Sequence, residues 1–150
     1  IMLHSYSPGQ VGRQQLAILK EEGINMRRVK VDHSNDTTDV EYLTWLLEQG
    51  CYLGMDRYPG LNVSAQARTK TMKALIDAGW AHRLLLSHDH LLVMAVEPLP
   101  GLKEYIERSN PYGFLYIKKV VFPQLREMGV PDATLNSLCV DGPRNFFEGV

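Results

Sequence analysis

A chain of 150 residues, 45% hydrophobic and 22% charged, can bury one core and is ordinary in composition for a globular domain. Its net charge of −1 offers no basic surface for nucleic acid or an anionic membrane. No apolar run approaches the ~18 residues of a bilayer-crossing helix and no leader-like segment stands out, so a single soluble domain over 1–150, cytoplasmic by default, is expected.

In chain order, the pattern predicts a strand followed by a helix, repeated. The first unit is a strand over Ile1–Ser5, a turn at Pro8 and Gly9, and a helix over Gln10–Glu22 with Leu16, Ile18 and Leu19 inward. Gly23 suits the position just past that helix. The second is Arg28–His33, a polar loop, and a helix over Asp39–Gln49 with Val40, Leu43, Leu46 and Leu47 at helical spacing. The third is Tyr52–Asp56, a loop through Pro59 and Gly60, and a helix over Ala65–Ala78 carrying Met72, Leu75 and Ile76. The fourth is Leu84–His88 and a long loop with Pro98 and Pro100. Helices over Leu102–Arg108, Phe114–Met128, Asp132–Leu138 and Pro143–Phe147 follow, with Pro123 ending or bending the second of these. Alternation at this spacing is the βαβ signature of a parallel sheet. The fold class is therefore α/β, with four β/α units. They make either half of a (β/α)8 TIM-type barrel, which as a whole takes ~250 residues, or an open sheet with helices on both faces.

The strand ends carry the chemistry. His4, His33, Asp56 and the pair His88-Asp89 all fall at carboxyl ends of strands. In a parallel barrel those ends share one face, so residues distant in sequence can meet around one ion. A lone histidine there is more often a hydrogen-bonded structural residue, and only the set argues for metal. Asp32 should point to the other side and serve a salt bridge or cap. His88 should point away from Asp89, and His90 should line the mouth. His82 reads as a solvated helix end. Arg57 fits equally a pairing with Asp56 or Asp36 and a substrate contact. Tyr58 and Trp45 read as packing residues, although Tyr58 sits on the loop nearest the mouth. Cys51 and Cys139 share no metal-ligand spacing and lie in apolar runs, which suggests two buried thiols.

Val29-Lys30-Val31-Asp32-His33-Ser34-Asn35-Asp36-Thr37-Thr38-Asp39, Tyr52-Leu53-Gly54-Met55-Asp56-Arg57 and Leu86-Ser87-His88-Asp89 together resemble the phosphotriesterase family of the amidohydrolase superfamily. Gly129-Val130-Pro131 and Pro143-Arg144-Asn145-Phe146-Phe147 are similar to the family's closing segments. The resemblance runs over essentially the whole chain and implies the second half of the barrel, strands five to eight. It implies hydrolysis of phosphotriester, lactone or carboxylate ester bonds by a metal-activated hydroxide, with zinc, cobalt or manganese as the divalent ion. His4 and His33 would then be ligands of the more exposed metal. Asp89 would bind the buried metal and take the proton of the attacking water. Asp36 and Arg57 would carry that proton onward or contact substrate, and Arg57 with Tyr58 would border the leaving-group pocket.

The family's His-x-His pair and its carboxylated lysine have no counterpart here. The expectation is weak metal binding and near-background activity for these residues alone. The alternative is an inactive, self-associating half-barrel. The expected partners are a small ester or lactone, and either a second copy or the missing N-terminal half-barrel, because two sheet edges and an apolar inner face would lack cover.

Overall fold

The structure is a computed structural model that describes residues 1–60, 62–90 and 100–149. Strands β1 (Met2–His4), β2 (Lys30–Asp32), β3 (Tyr52–Met55) and β4 (Leu84–Leu86) form one sheet in the order β1-β2-β3-β4. Every pairing is parallel. The register sets Leu3, Val31, Leu53 and Leu84 in one row across the sheet.

That row faces the helices. Helix α1 (Gly12–Glu21) follows β1, α2 (Val40–Glu48) follows β2 and α3 (Ala65–Asp77) follows β3. Leu16, Leu43, Leu46, Leu47, Met72 and Leu75 form one core with Val31, Leu53 and Leu84. The helix starts are fixed locally. Asp39 accepts the amide of Tyr42 at 2.9 Å, and Ser64 accepts that of Ala67 at 3.2 Å. Gly23, with φ 72°, closes α1 through its amide on Lys20 and that of Ile24 on Leu19.

The other face of the sheet differs from the expected apolar one. Lys30 and Asp32 lie there by strand alternation and pair at 2.8 Å. Asp32 has room because Gly54 is its cross-sheet neighbour; a Cβ at 54 would fall within 2.3 Å of its carboxylate. Tyr52 and Leu85 make a buried apolar patch there, with Phe146 across it. Phe146 belongs to α7 (Asp141–Glu148), which packs on β4. The layout is that of barrel units, with the main helices on one face, and not an open sheet sandwiched between two helical layers.

After β4 come α4 (Leu102–Ser109), a 3-10 turn over Gly113–Leu115, a π-helical turn over Ile117–Val121, α5 (Phe122–Glu127), α6 (Asp132–Cys139) and α7. The single helix expected over Phe114–Met128 is thus divided. Pro123 sits in the first turn of α5, where its missing N–H costs least, and the wider turn before it absorbs the mismatch. Pro98 of the predicted long loop lies outside the described residues.

Two burial expectations need correction. Ile18 is 59% exposed, because two helical positions on from Leu16 lies the opposite side of α1. Cys139 is exposed at the end of α6, whereas Cys51 is buried and donates to the Leu46 carbonyl at 3.1 Å. Burial pushes the Cys51 thiol up to about 12. A thiol-reactive disulfide reagent should therefore label Cys139 in the folded protein and Cys51 only after denaturation. Mass spectrometry of the labelled peptides checks both.

Candidate active site

At the carboxyl rim, β2 runs directly into His33. This residue is 4% exposed and held in the left-handed region at φ 61°. One carboxylate explains both features. Asp56, at the end of β3, accepts the His33 backbone N–H through Oδ2 at 3.1 Å and faces ring Nδ1 through Oδ1 at 3.1 Å. Burial pushes the Asp56 carboxyl up, while the His33 amide and ring pull it back. With Nδ1–H directed at Asp56, His33 Nε2 carries the lone pair. It faces Nδ1 of His4 at 2.8 Å, with the two rings 71° apart. The His33 carbonyl is tied by the Ser7 hydroxyl at 2.8 Å.

Beside this pair runs a line of alternating charges. Asp89 sits just beyond β4 with φ 48°, and Arg57 just beyond β3 with φ 58°. Arg57 donates through Nε to Asp89 at 3.1 Å and through NH1 to Asp36 at 2.7 Å. Burial alone would lower the Arg57 guanidinium, but its bonds to Asp36 and Asp89 outweigh that and hold it above the ordinary arginine value. Asp36 gives its second oxygen to Arg68 at 2.7 Å. Apart from Gln10, the described non-glycine residues with positive φ are His33, Arg57 and Asp89. Backbone held in that region clusters at functional sites.

The predicted residues divide accordingly. His4 and His33 meet, as do Asp36, Arg57 and Asp89. Asp89 Oδ2 lies 3.8 Å from His33 Nδ1, on the ring edge away from His4, and is engaged by Arg57. Among the described residues, no three His, Cys, Asp or Glu side chains converge on one point. The two nitrogens that could serve as ligands of a divalent ion are His33 Nε2 and His4 Nδ1, which meet each other at 2.8 Å. Asp89 does not complete that set.

Tyr58 lies below the rim, 2% exposed and stacked on Tyr116 at 6.4 Å, which is a packing placement and not a pocket wall. His88 and His90 press edge-on against Phe114 at 5.8 and 5.1 Å. Burial, then the charge of His90, lowers His88. Asp32 takes the ion-pair role expected of it. His82 is exposed, its ring on the Gly79 carbonyl at 3.1 Å. Trp45 carries the Arg13 guanidinium 4.4 Å over its ring.

Sequence reading missed the grip of Asp56 on His33, and it missed Arg68. The first had a faint signal, an acid at a strand end level with the histidine. Arg68 had none, since an arginine in a helix ordinarily points to solvent.

Residues 1–147 match the Phosphotriesterase family, and the chain belongs to it. A "Phosphotriesterase homology protein" of Mycobacterium tuberculosis is 35% identical over 151 residues, covering 99% of this chain and 45% of that protein. An aryldialkylphosphatase of Saccharolobus solfataricus is 27% identical, covering 99% and 47% respectively. The solved phosphotriesterase of M. tuberculosis superposes with a TM-score of 0.90 at 33% identity, covering 99% of this chain and 45% of that one. The chain thus spans a little under half the length of these relatives and forms a partial barrel.

The Tyr58 hydroxyl lies near Thr69 and Asn35 but completes no hydrogen bond with either, and burial pushes its pKa up. Tyr58→Phe should therefore change stability by no more than about 1 kcal/mol near neutral pH. A raised folded-state pKa means stability that is present below the unfolded value of 10.0 and lost as pH rises beyond it. The Phe variant escapes that loss. Urea denaturation of both proteins at pH 7 and above 10 checks the sign.

Proposed function

We propose that these residues form part of the active site of a metal-dependent hydrolase acting on phosphotriester, lactone or carboxylate ester bonds. Family membership supports a hydrolase. The observation that carries the finer reading is the fixed lone pair of His33 Nε2 facing His4 Nδ1, beside the Arg57–Asp89 pair. The aryldialkylphosphatase relative favours a phosphotriester as the first substrate to try.

His4 and His33 would hold a divalent ion, zinc first and cobalt or manganese next, as imidazole nitrogens suit. When bound, such an ion acidifies a water molecule and polarises the phosphoryl or carbonyl oxygen. The chain's own groups supply the rest. Asp56 keeps the His33 ring in one tautomer and orientation. Asp89 is the base: as the water oxygen bonds to phosphorus or carbon, its proton passes to that carboxylate. The bond to the leaving oxygen then breaks, and the leaving group departs with the electron pair. Arg57 steadies Asp89 while it is ionised and is exposed enough, at 42% of its side chain, to meet substrate. Asp36 is the next carboxylate along and keeps its hold on the Arg57 guanidinium when Asp89 is protonated.

Among the described residues, the outer strands β1 and β4 each have an unpaired edge. We assign their cover to a complementary half-barrel, or to a second copy of this chain closing an eight-stranded barrel about a two-fold axis. Light scattering should give more than the 17.0 kDa monomer.

The assay uses an aryl dialkyl phosphate, a simple lactone and an aryl ester, with zinc, cobalt or manganese. The chain is tested alone and with the part of the M. tuberculosis relative that lies outside the aligned region. Turnover should be near background for the chain alone and appear with both pieces. Asp89→Asn should lower it on the order of 10²–10⁴-fold. Calorimetry should show that His33→Ala removes most zinc binding. Unaltered binding after His4→Ala with His33→Ala would end the metal reading.

A further inference from the structure

We propose that Arg68 is a positioning residue for this site. Its buried guanidinium orients Asp36, through Asp36 it sets Arg57, and through Arg57 it sets the Asp89 carboxylate. The catalytic consequence rests on the hydrolase reading above, whereas the positioning does not.

Arg68 heads the fully buried side chains of the described residues by size and is 1% exposed. It comes from the first turn of α3, yet its fork reaches three separate parts of the rim. NH2 donates to Asp36 Oδ1 at 2.7 Å, Nε to the Val63 carbonyl at 2.9 Å and NH1 to the Asp56 carbonyl at 3.3 Å. The loop after β3 is folded over it. Gly60 has φ 95°, and a Cβ there would lie 2.2 Å from Arg68 Nε, so both the backbone angle and the space require glycine.

Burying a cation this completely is costly unless the geometry uses it. Its use is visible in the division of Asp36. One carboxylate oxygen is taken by Arg68 and the other by Arg57. Turning the carboxylate away would break both of these ion pairs. Arg57 then has only Nε directed at Asp89. The charges alternate from the buried Arg68 to the 43%-exposed Asp89, so the orientation of the outermost group depends on the innermost. A lysine could supply the charge, but its compact ammonium could not span the three acceptors.

The test reads Arg57 directly on the 150-residue chain, by the NMR cross-peak of its Nε–H. Arg68→Met and Arg68→Lys are compared with wild type, and unchanged backbone amide spectra confirm folding. Arg68→Lys keeps the buried charge, so it serves where Arg68→Met fails to fold. Both variants should shift the Arg57 signal and speed its hydrogen exchange by about tenfold or more. Asp36→Asn should do the same, and adding Arg68→Lys to it should bring no further change. Guanidinium ion added to Arg68→Ala should restore the wild-type signal. A folded Arg68→Lys protein whose Arg57 signal and exchange match wild type would overturn the proposal. A shifted Arg57 signal in a protein that hydrolyses nothing in any assembly would retain the positioning and remove the hydrolase reading.

Discussion

The rim depends on one buried carboxylate. Asp56 holds His33 twice, by the backbone N–H and by the ring. The backbone bond helps to keep a histidine at φ 61°, a conformation side chains other than glycine seldom adopt. The ring bond fixes which nitrogen is left to meet His4. Without Asp56, a histidine only 4% exposed would lose two hydrogen bonds at once. Leaving buried polar groups unpaired costs about 1–3 kcal/mol each. The same carboxylate makes the facing nitrogens of His33 and His4 a defined pair in place of two mobile rings.

Burial grades outward from that point. Asp56 and Arg68 are sealed, Asp36 is nearly so, and Arg57 and Asp89 are more than two-fifths exposed. Exposed ion pairs contribute at most about 1 kcal/mol, so the Arg57–Asp89 contact is easily exchanged. That suits the proton-accepting role proposed for Asp89. The inner pairs hold their geometry because breaking either would strand a buried charge. Rigid support and a labile working end thus come from one line of residues.

The sheet serves this arrangement by its register. Because His4, Asp32 and Gly54 are level across β1, β2 and β3, the residues just beyond them emerge together on one rim. Gly54 leaves the space that Asp32 fills, and the Lys30–Asp32 pair makes the inner face partly polar. The helices hold the opposite face through a continuous apolar core.

The sequence by itself determined the strand–helix alternation, the parallel order and the placing of His4, His33, Asp56 and Asp89 at one edge. Those features follow from local hydrophobic periodicity and from the direction in which a βαβ chain must return. Its motifs also carried the family. Tertiary structure decided the partners. Whether Arg57 pairs with Asp56 or with Asp36 was open in the sequence; it takes Asp36 and Asp89, because the Asp56 carboxylate is already occupied by His33. Ile18 and Cys139 sit outward because a helix buries only one stripe, and its neighbours choose which. Arg68 is the extreme case: an arginine in a helix says nothing of burial until a loop from elsewhere in the chain, with Gly60 at its bend, closes over it.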